Sequence, residues 1–295
     1  MHYLITGGSG FIGSALCRSL AAAGQRITVL TRNVARARQR VPEEVMLIDR
    51  LDFAQDVDAV VNLAGENLAG GRWNAARKRE FFASRIGTTK RLLDWIDRQE
   101  RAPAVLVSGS AIGWYGPRGD EELDENAESG ADFSAHLCRD WEAEARKAES
   151  FGVRVCLVRT GIVLDADGGA LKQMLLPFRL GLGGPIGSGR QWMSWVARAD
   201  LVALIRWLVA NDGASGPYNA TAPTPVSNAE FAATLASALH RPGLLRTPGF
   251  ALKLLFGEMA DLLLTGQRVI PARASAAGFE FNHPRLATAL DSILA

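Results

Sequence analysis

Three glycines at three-residue spacing, Gly7, Gly10 and Gly13, lie between an apolar run and an amphipathic one. In Thr6-Gly7-Gly8-Ser9-Gly10-Phe11-Ile12-Gly13, glycine would serve a tight turn, close approach of backbone to a pyrophosphate, and close packing of helix on strand. The phosphates would face the free N–H groups of Phe11, Ile12 and their neighbours at the helix start. Glycine turns also arise for structural reasons alone. Here the turn joins a strand to a helix within a βαβ unit, the context in which it binds a dinucleotide. The second apolar run ends in Leu30-Thr31-Arg32-Asn33. About 20 residues after the glycine turn, NAD enzymes place a carboxylate on the ribose 2′-OH. Thr31 and Arg32 stand there instead, and a guanidinium pairs with the 2′-phosphate that a carboxylate would repel. The expected cofactor is therefore NADP(H). Arg36 and Arg38 read as a solvated helix face.

The remaining chemistry-bearing residues form no cluster. Cys17, Cys138 and Cys156 are far apart, and the four histidines are scattered, so neither a disulfide framework nor a metal site is expected. A formal net charge of +2 gives no footprint for nucleic acid. At 48% hydrophobic and 22% charged residues the composition is that of an ordinary globular chain. The N-terminus starts directly on an apolar run with no basic leader. No apolar run approaches the roughly 20 residues that cross a bilayer. A cytoplasmic protein without a membrane partner is expected.

Elements that could position the glycine turn follow from the pattern. Tyr3–Ile5, Ile27–Leu30, Val45–Ile48, Ala59–Leu63, Ala104–Val107 and Val153–Val158 are near-continuous apolar runs, as in strands covered on both faces. Helical spacing lies between them, as with Ile12, Leu16 and Leu20, or Ile86 to Ile96. The alternation predicts an α/β fold, a Rossmann-type doubly wound parallel sheet. Residues 1–165 would form the cofactor domain, its sheet completed by later segments, and 166–295 a smaller substrate-side lobe. Within the lobe, 166–192 is glycine-rich, helices are expected around Asp200–Val209 and Asn228–Leu239, and 244–295 is a helical piece. The apolar stretch Phe250–Leu264 reads as core or as the surface of a homodimer, since Lys253, Glu258 and Asp261 interrupt it.

The glycine turn, Asn62-Leu63-Ala64-Gly65 and Ser108-Gly109-Ser110-Ala111 together resemble extended short-chain dehydrogenases/reductases. More closely, the chain resembles their atypical SDR39U1-like, or YfcH-like, epimerase-family branch. That likeness rests on Asn62 to Asn67, Arg72-Trp73, Ser84-Arg85-Ile86, Cys138 to Glu142, Arg159 to Leu164 and, most specifically, Leu176 to Pro185 and Trp195. It covers essentially the whole chain. It implies an NADPH-binding Rossmann domain, with Leu63 and Ala64 beside the adenosine half and cofactor contacts from Glu80, Arg85, Ser108 and Ile162. An ion pair between Glu80 and Arg85 on one helix is an equal alternative. Ala197 stands where relatives carry a histidine.

Ordinary members of that superfamily use a Tyr-x-x-x-Lys pair, and this chain has none: Gly7, Gly119 and Ala222 follow Tyr3, Tyr115 and Tyr218 at that spacing. Alignment on Glu142 puts Ser134 and Cys138 at the two positions. Serine is no acid near neutral pH and a thiol supplies no permanent positive charge. Ser110, at the superfamily's catalytic serine, and Tyr115, in Trp114-Tyr115-Gly116, are the candidate catalytic residues, with Tyr115 alternatively an aromatic wall. Arg179, Arg190 and Trp192 either clamp an anionic or sugar-like substrate or merely stiffen a loop. The expected function is an oxidoreductase or epimerase-like enzyme on a small molecule. The alternative is an NADPH-binding regulator without catalysis, such as the division-linked roles of relatives suggest.

Overall fold

All six apolar runs form strands in the computed structural model, which describes residues 1–295. They are β1 (His2–Thr6), β2 (Arg26–Leu30), β3 (Met46–Ile48), β4 (Ala59–Asn62), β5 (Val105–Ala111) and β6 (Arg154–Thr160); Gly216–Ala220 adds β7. The order is β7-β6-β5-β4-β1-β2-β3, with every neighbouring pair parallel. This is the doubly wound arrangement, whose chain reversal at β1 and β4 opens a crevice at the carboxyl ends of the strands. The continuous apolar runs follow from burial on both faces, because successive side chains alternate sides. Ile5, Val29, Val61 and Val107 pack with Leu16 and Leu20 of α1 (Phe11–Ala22) and with Leu204 and Leu208 of α7 (Arg198–Ala210). Leu4, Val60, Leu106 and Leu157 face the opposite layer, against Leu92 and Ile96 of α4 (Thr88–Asp97) and Ala145 of α5 (Phe133–Arg146).

Beyond β6 the chain builds a second core. Leu171 and Leu175 of α6 (Gly169–Arg179) pack with Phe231 and Leu235 of α8 (Asn228–Ala238) and Leu290 of the last helix (Leu286–Leu294). Between these helices the chain returns to the first layer, contributing α7 and β7, so 198–220 belongs with the sheet rather than with the lobe. The stretch 250–264 is two helices, α9 (Gly249–Phe256) and α10 (Asp261–Leu264), separated by a turn that buries Met259 and Ala260. Segment 266–273 ties lobe to sheet: Arg268–Val269 pairs with Glu122–Leu123, and Ser194 Oγ donates to the Gln267 carbonyl while accepting from the Val269 N–H. No helix is long and apolar enough to cross a membrane.

Candidate functional site

At the end of β1 the glycine turn runs under the exit of β4. Gly7 has φ +69°, and a Cβ there would lie 2.5 Å from the Leu63 carbonyl oxygen. A Cβ on Gly13 would lie 2.3 Å from the Gly7 carbonyl oxygen, so helix and turn meet only because that side chain is missing. Gly10 caps α1 without a side-chain bond, which leaves the N–H groups of Phe11, Ile12 and Gly13 open toward the crevice. The Phe11 ring packs against Gly168 and Gly169 and beneath the Arg198 guanidinium.

A cleft of about 730 Å³ runs from this turn past the ends of β2 and β4. Gly7, Gly10, Thr31, Arg32, Leu63, Ala64 and Glu80 all line it, as do Arg36, Arg40, Ser84 and Arg91. The guanidinium groups of Arg32, Arg36 and Arg40 have no hydrogen-bond or carboxylate partner in the protein. Arg36, on α2 (Val34–Arg38), is exposed as a solvated helix face requires, and that face is also part of the cleft wall. Arg38, by contrast, is spent on the carbonyls of Pro42, Glu43 and Val45. Arg40, in the turn just after this helix, reaches the same cleft.

Arg85 sits in a π-turn, Ala83–Gly87, joining α3 (Ala75–Phe82) to α4. Such a bulge re-aims side chains at functional sites. Its guanidinium donates to the carbonyls of Glu66 and Phe81 and lies 5.4 Å from the Trp141 ring centroid; burial pushes its pKa down. No ion pair joins it to Glu80. The cation instead borders the cleft through Gly65 and Glu66. Thr89 fixes this corner: its hydroxyl donates to the Arg85 carbonyl and accepts from Asn62 Nδ2 and Trp141 Nε1.

Strand β5 extends through Ser108-Gly109-Ser110-Ala111, so this motif is strand rather than the loop beyond it. Ser108 pairs in register with Asn62, is fully buried, and its hydroxyl donates to the Gly109 carbonyl; its side chain does not reach the cleft. Ser110 lies on the α5 side with Cys138, whose thiol burial pushes up to about 12. The Ser110 hydroxyl donates to Glu142 Oε1 at 2.7 Å. Arg159 clamps the same carboxylate with Nε at 2.8 Å and Nη2 at 3.0 Å, and both side chains are almost wholly buried. Neither residue of this pair emerged as a site from the sequence. A charged residue on the buried stripe of α5 and another inside a strand covered on both sides were the available signals.

Tyr115 belongs to that network and not to the cleft wall. Its phenol donates to Asn219 Oδ1 at 2.6 Å and accepts from Arg159 Nη1 at 3.1 Å, and the residue has no exposed surface. Burial pushes its pKa up to about 12, against the pull of Arg159. A proton donor in that position has no open path to a substrate, which corrects the catalytic expectation. Of the three residues that either clamp a substrate or stiffen a loop, Trp192 is held by neighbours and the two arginines are free. Trp192 bonds Asp120 through Nε1 at 2.7 Å and lies under Arg268, whereas Arg179 and Arg190 are exposed, with Arg179 beside segment 241–247. Ile162 begins a short strand with its N–H donated to the Ser194 carbonyl. No group of histidine, cysteine or acidic residues could hold a metal.

Comparison with known proteins agrees with this architecture. Residues 3–221 match the NAD dependent epimerase/dehydratase family, and 247–293 match a domain of unknown function, DUF1731. The chain is 42% identical to the chloroplastic "Epimerase family protein SDR39U1 homolog" of Arabidopsis thaliana, covering 100% of this chain and 87% of that one. It is 44% identical to "Epimerase family protein Mb2239" of Mycobacterium bovis, covering 97% and 95%. A crystal structure of the human epimerase family protein SDR39U1 (isoform 2) with NADPH superposes at a TM-score of 0.92, with 37% identity and 99% of both chains covered. A UDP-glucose 4-epimerase of Thermotoga maritima shares the fold at a TM-score of 0.81 with 16% identity. The glycine turn, the seven-stranded order and a lobe that relatives share end to end make this chain a member of the NAD dependent epimerase/dehydratase family, in its SDR39U1-like branch.

Proposed function

We propose that the protein binds NADP(H) in the cleft at the ends of β1, β2 and β4 and works as an oxidoreductase or epimerase-like enzyme on a small molecule. The carrying observation is the set of unpaired arginines, Arg32, Arg36 and Arg40, on the cleft wall where a 2′-phosphate would lie. The glycine cradle fits a pyrophosphate for the same reason that it excludes a Cβ. Thr31, Leu63, Ala64 and the Glu80 carboxylate would border the adenosine half. Phe11 and Ile162 would shape the far end, and Arg85 would supply a buried positive charge near Gly65. When bound, the nicotinamide supplies hydride transfer.

The protein's own share is orientation. Ser110 is buried beside the cleft's inner end rather than on its lining, and it gives its one hydroxyl proton to Glu142, so it has lone pairs rather than a proton to offer. It would accept a hydrogen bond from a substrate hydroxyl. Glu142, fixed by the Arg159 fork, holds that proton in place. This commitment also favours the second reading, an NADPH-binding regulator, because it leaves neither Ser110 nor the buried Tyr115 free to deliver a proton.

Calorimetric titration with NADPH and NADH tests the cofactor claim. Removing one charge-assisted contact costs about 1.5–3 kcal/mol, so Arg32→Ala should weaken NADPH about 10- to 100-fold and leave NADH nearly unchanged. Equal affinity of the wild type for both coenzymes overturns it. Turnover on a panel of aldehydes, ketones and nucleotide sugars that falls in Ser110→Ala supports the enzyme. NADPH binding without turnover on any of them supports the regulator.

A further inference from the structure

Eight of the thirteen exposed large apolar side chains lie between Leu176 and Leu255, in two stretches that meet in space. Residues 179–187 and 241–247 run side by side: Arg241 Nε donates to the Arg179 carbonyl, the Leu245 N–H to Gly183, the Thr247 N–H to Pro185 and the Gly187 N–H to Thr247. Leu180 and Leu182 therefore sit next to Leu244 and Leu245. Pro248 then starts α9, on which Phe250 and Leu254 share one face at 76% and 77% exposure; Leu244 is 84% exposed. Side chains this far out of the surface have no walls around them, unlike the lining of a groove made for a partner helix.

The charge around this face is one-sided. Residues 169–191 and 240–256 contain Lys172, Arg179, Arg190, Arg241, Arg246 and Lys253 and no aspartate or glutamate, in a chain with 33 basic and 31 acidic residues overall. All six are exposed, and only Lys253 meets a carboxylate, Asp261 at 3.5 Å. Of the other acids just outside the two stretches, Glu258 is taken by Lys78 at 2.7 Å, and Asp165 and Asp167 by Arg198 at 2.8 and 3.3 Å. A second copy on a two-fold axis would set cations against cations, which disfavours self-association here.

We propose that this face docks peripherally on an anionic lipid surface, with Leu180, Leu182, Leu244, Leu245, Phe250 and Leu254 entering the headgroup boundary and the arginines meeting lipid phosphates. An apolar face rimmed by cations is the chemistry that binds such an interface without spanning it. The claim is independent of what fills the cofactor cleft.

Co-sedimentation of the full chain with vesicles tests it, using phosphatidylcholine alone and phosphatidylcholine mixed equally with phosphatidylglycerol. The protein should pellet with the mixed vesicles only, and release as salt rises. Phe250→Ser with Leu254→Ser, and separately Arg241→Glu with Arg246→Glu, should each weaken this binding about tenfold or more while thermal melting stays unchanged. No binding to the mixed vesicles, equal binding to both kinds, or binding indifferent to both pairs overturns the proposal. So does a lipid-free dimer that Phe250→Ser with Leu254→Ser dissociates, since a second copy would then cover the face.

Discussion

Glu142 and Arg159 are the two charges the chain buries most completely as a pair, and the environment explains how they are kept. The guanidinium stacks 3.9 Å from the Trp114 ring centroid and spends its remaining donor on Tyr115 and the Glu125 carbonyl. Removing one partner leaves the other charge buried alone, which costs about 3–5 kcal/mol, whereas replacing both by apolar groups costs much less. Urea unfolding should show Glu142→Leu and Arg159→Met each destabilising by about that amount, with the double variant losing less than the two together. Strict additivity would show that the pair is not coupled. The sequence could not announce this network. Glu142, Arg159, Tyr115 and Asn219 are up to 104 positions apart, and only the folded sheet brings the phenol to the amide. The same distance effect decides the place of Tyr115, which packs with Leu123 and Val269 rather than on the cleft.

At the scale of elements, what could be read depended on whether one segment or several decide the outcome. A glycine turn, a strand and a helix are set by neighbours in sequence, and here Gly7, Gly13 and the six runs landed as the pattern predicts. The place of Arg32 on the cleft wall follows from the same local pattern, whereas the wall that Arg40, Ser84 and Arg91 complete requires the packing of three elements. Gly13→Ala tests the first kind directly. Its Cβ would press on the Gly7 carbonyl, so α1 must move away from the turn. NADPH at a hundredfold its wild-type Kd should stabilise the parent by about 2.7 kcal/mol and this variant far less. An unchanged melting gain in the variant would sink the cradle.

Strand β1 carries a second test. His2 bonds Thr28 Oγ1 and the Asp56 carbonyl, and burial, helped by Arg26, holds its imidazole below the usual value. Below about 6.5 the unfolded chain then binds the extra proton before the folded one. The stabilising share of His2 is present above that pH and is lost as pH falls toward the depressed folded value. In His2→Gln, stability should vary less between neutral and mildly acid pH; an unaltered slope would exclude the histidine as its source.

For the molecule as a whole, the question is whether lobe and sheet unfold together. The exposed links, Lys78 with Glu258, Arg268 with Glu122 and Trp192 with Asp120, are worth little in water. The buried ones are of another kind. Asn219 of β7 donates through Nδ2 to the Ile270 carbonyl, and its N–H donates to the Glu125 carboxylate, which also accepts from the Arg273 N–H. Ser194 is shared between the lobe and segment 266–273 in the same buried manner. Opening the lobe would strand these polar groups without partners, each at about 1–3 kcal/mol, so a state with sheet folded and lobe detached lies well above the native one. Because 198–220 threads back between lobe segments to supply α7 and β7, unfolding the lobe would also free both ends of the chain that forms the sheet's edge. Calorimetry should therefore record one transition for the full chain, with calorimetric and van't Hoff enthalpies equal, and NADPH should move that transition without splitting it. Two resolved transitions, only one of them shifted by NADPH, would show instead that the surface links alone hold the halves together.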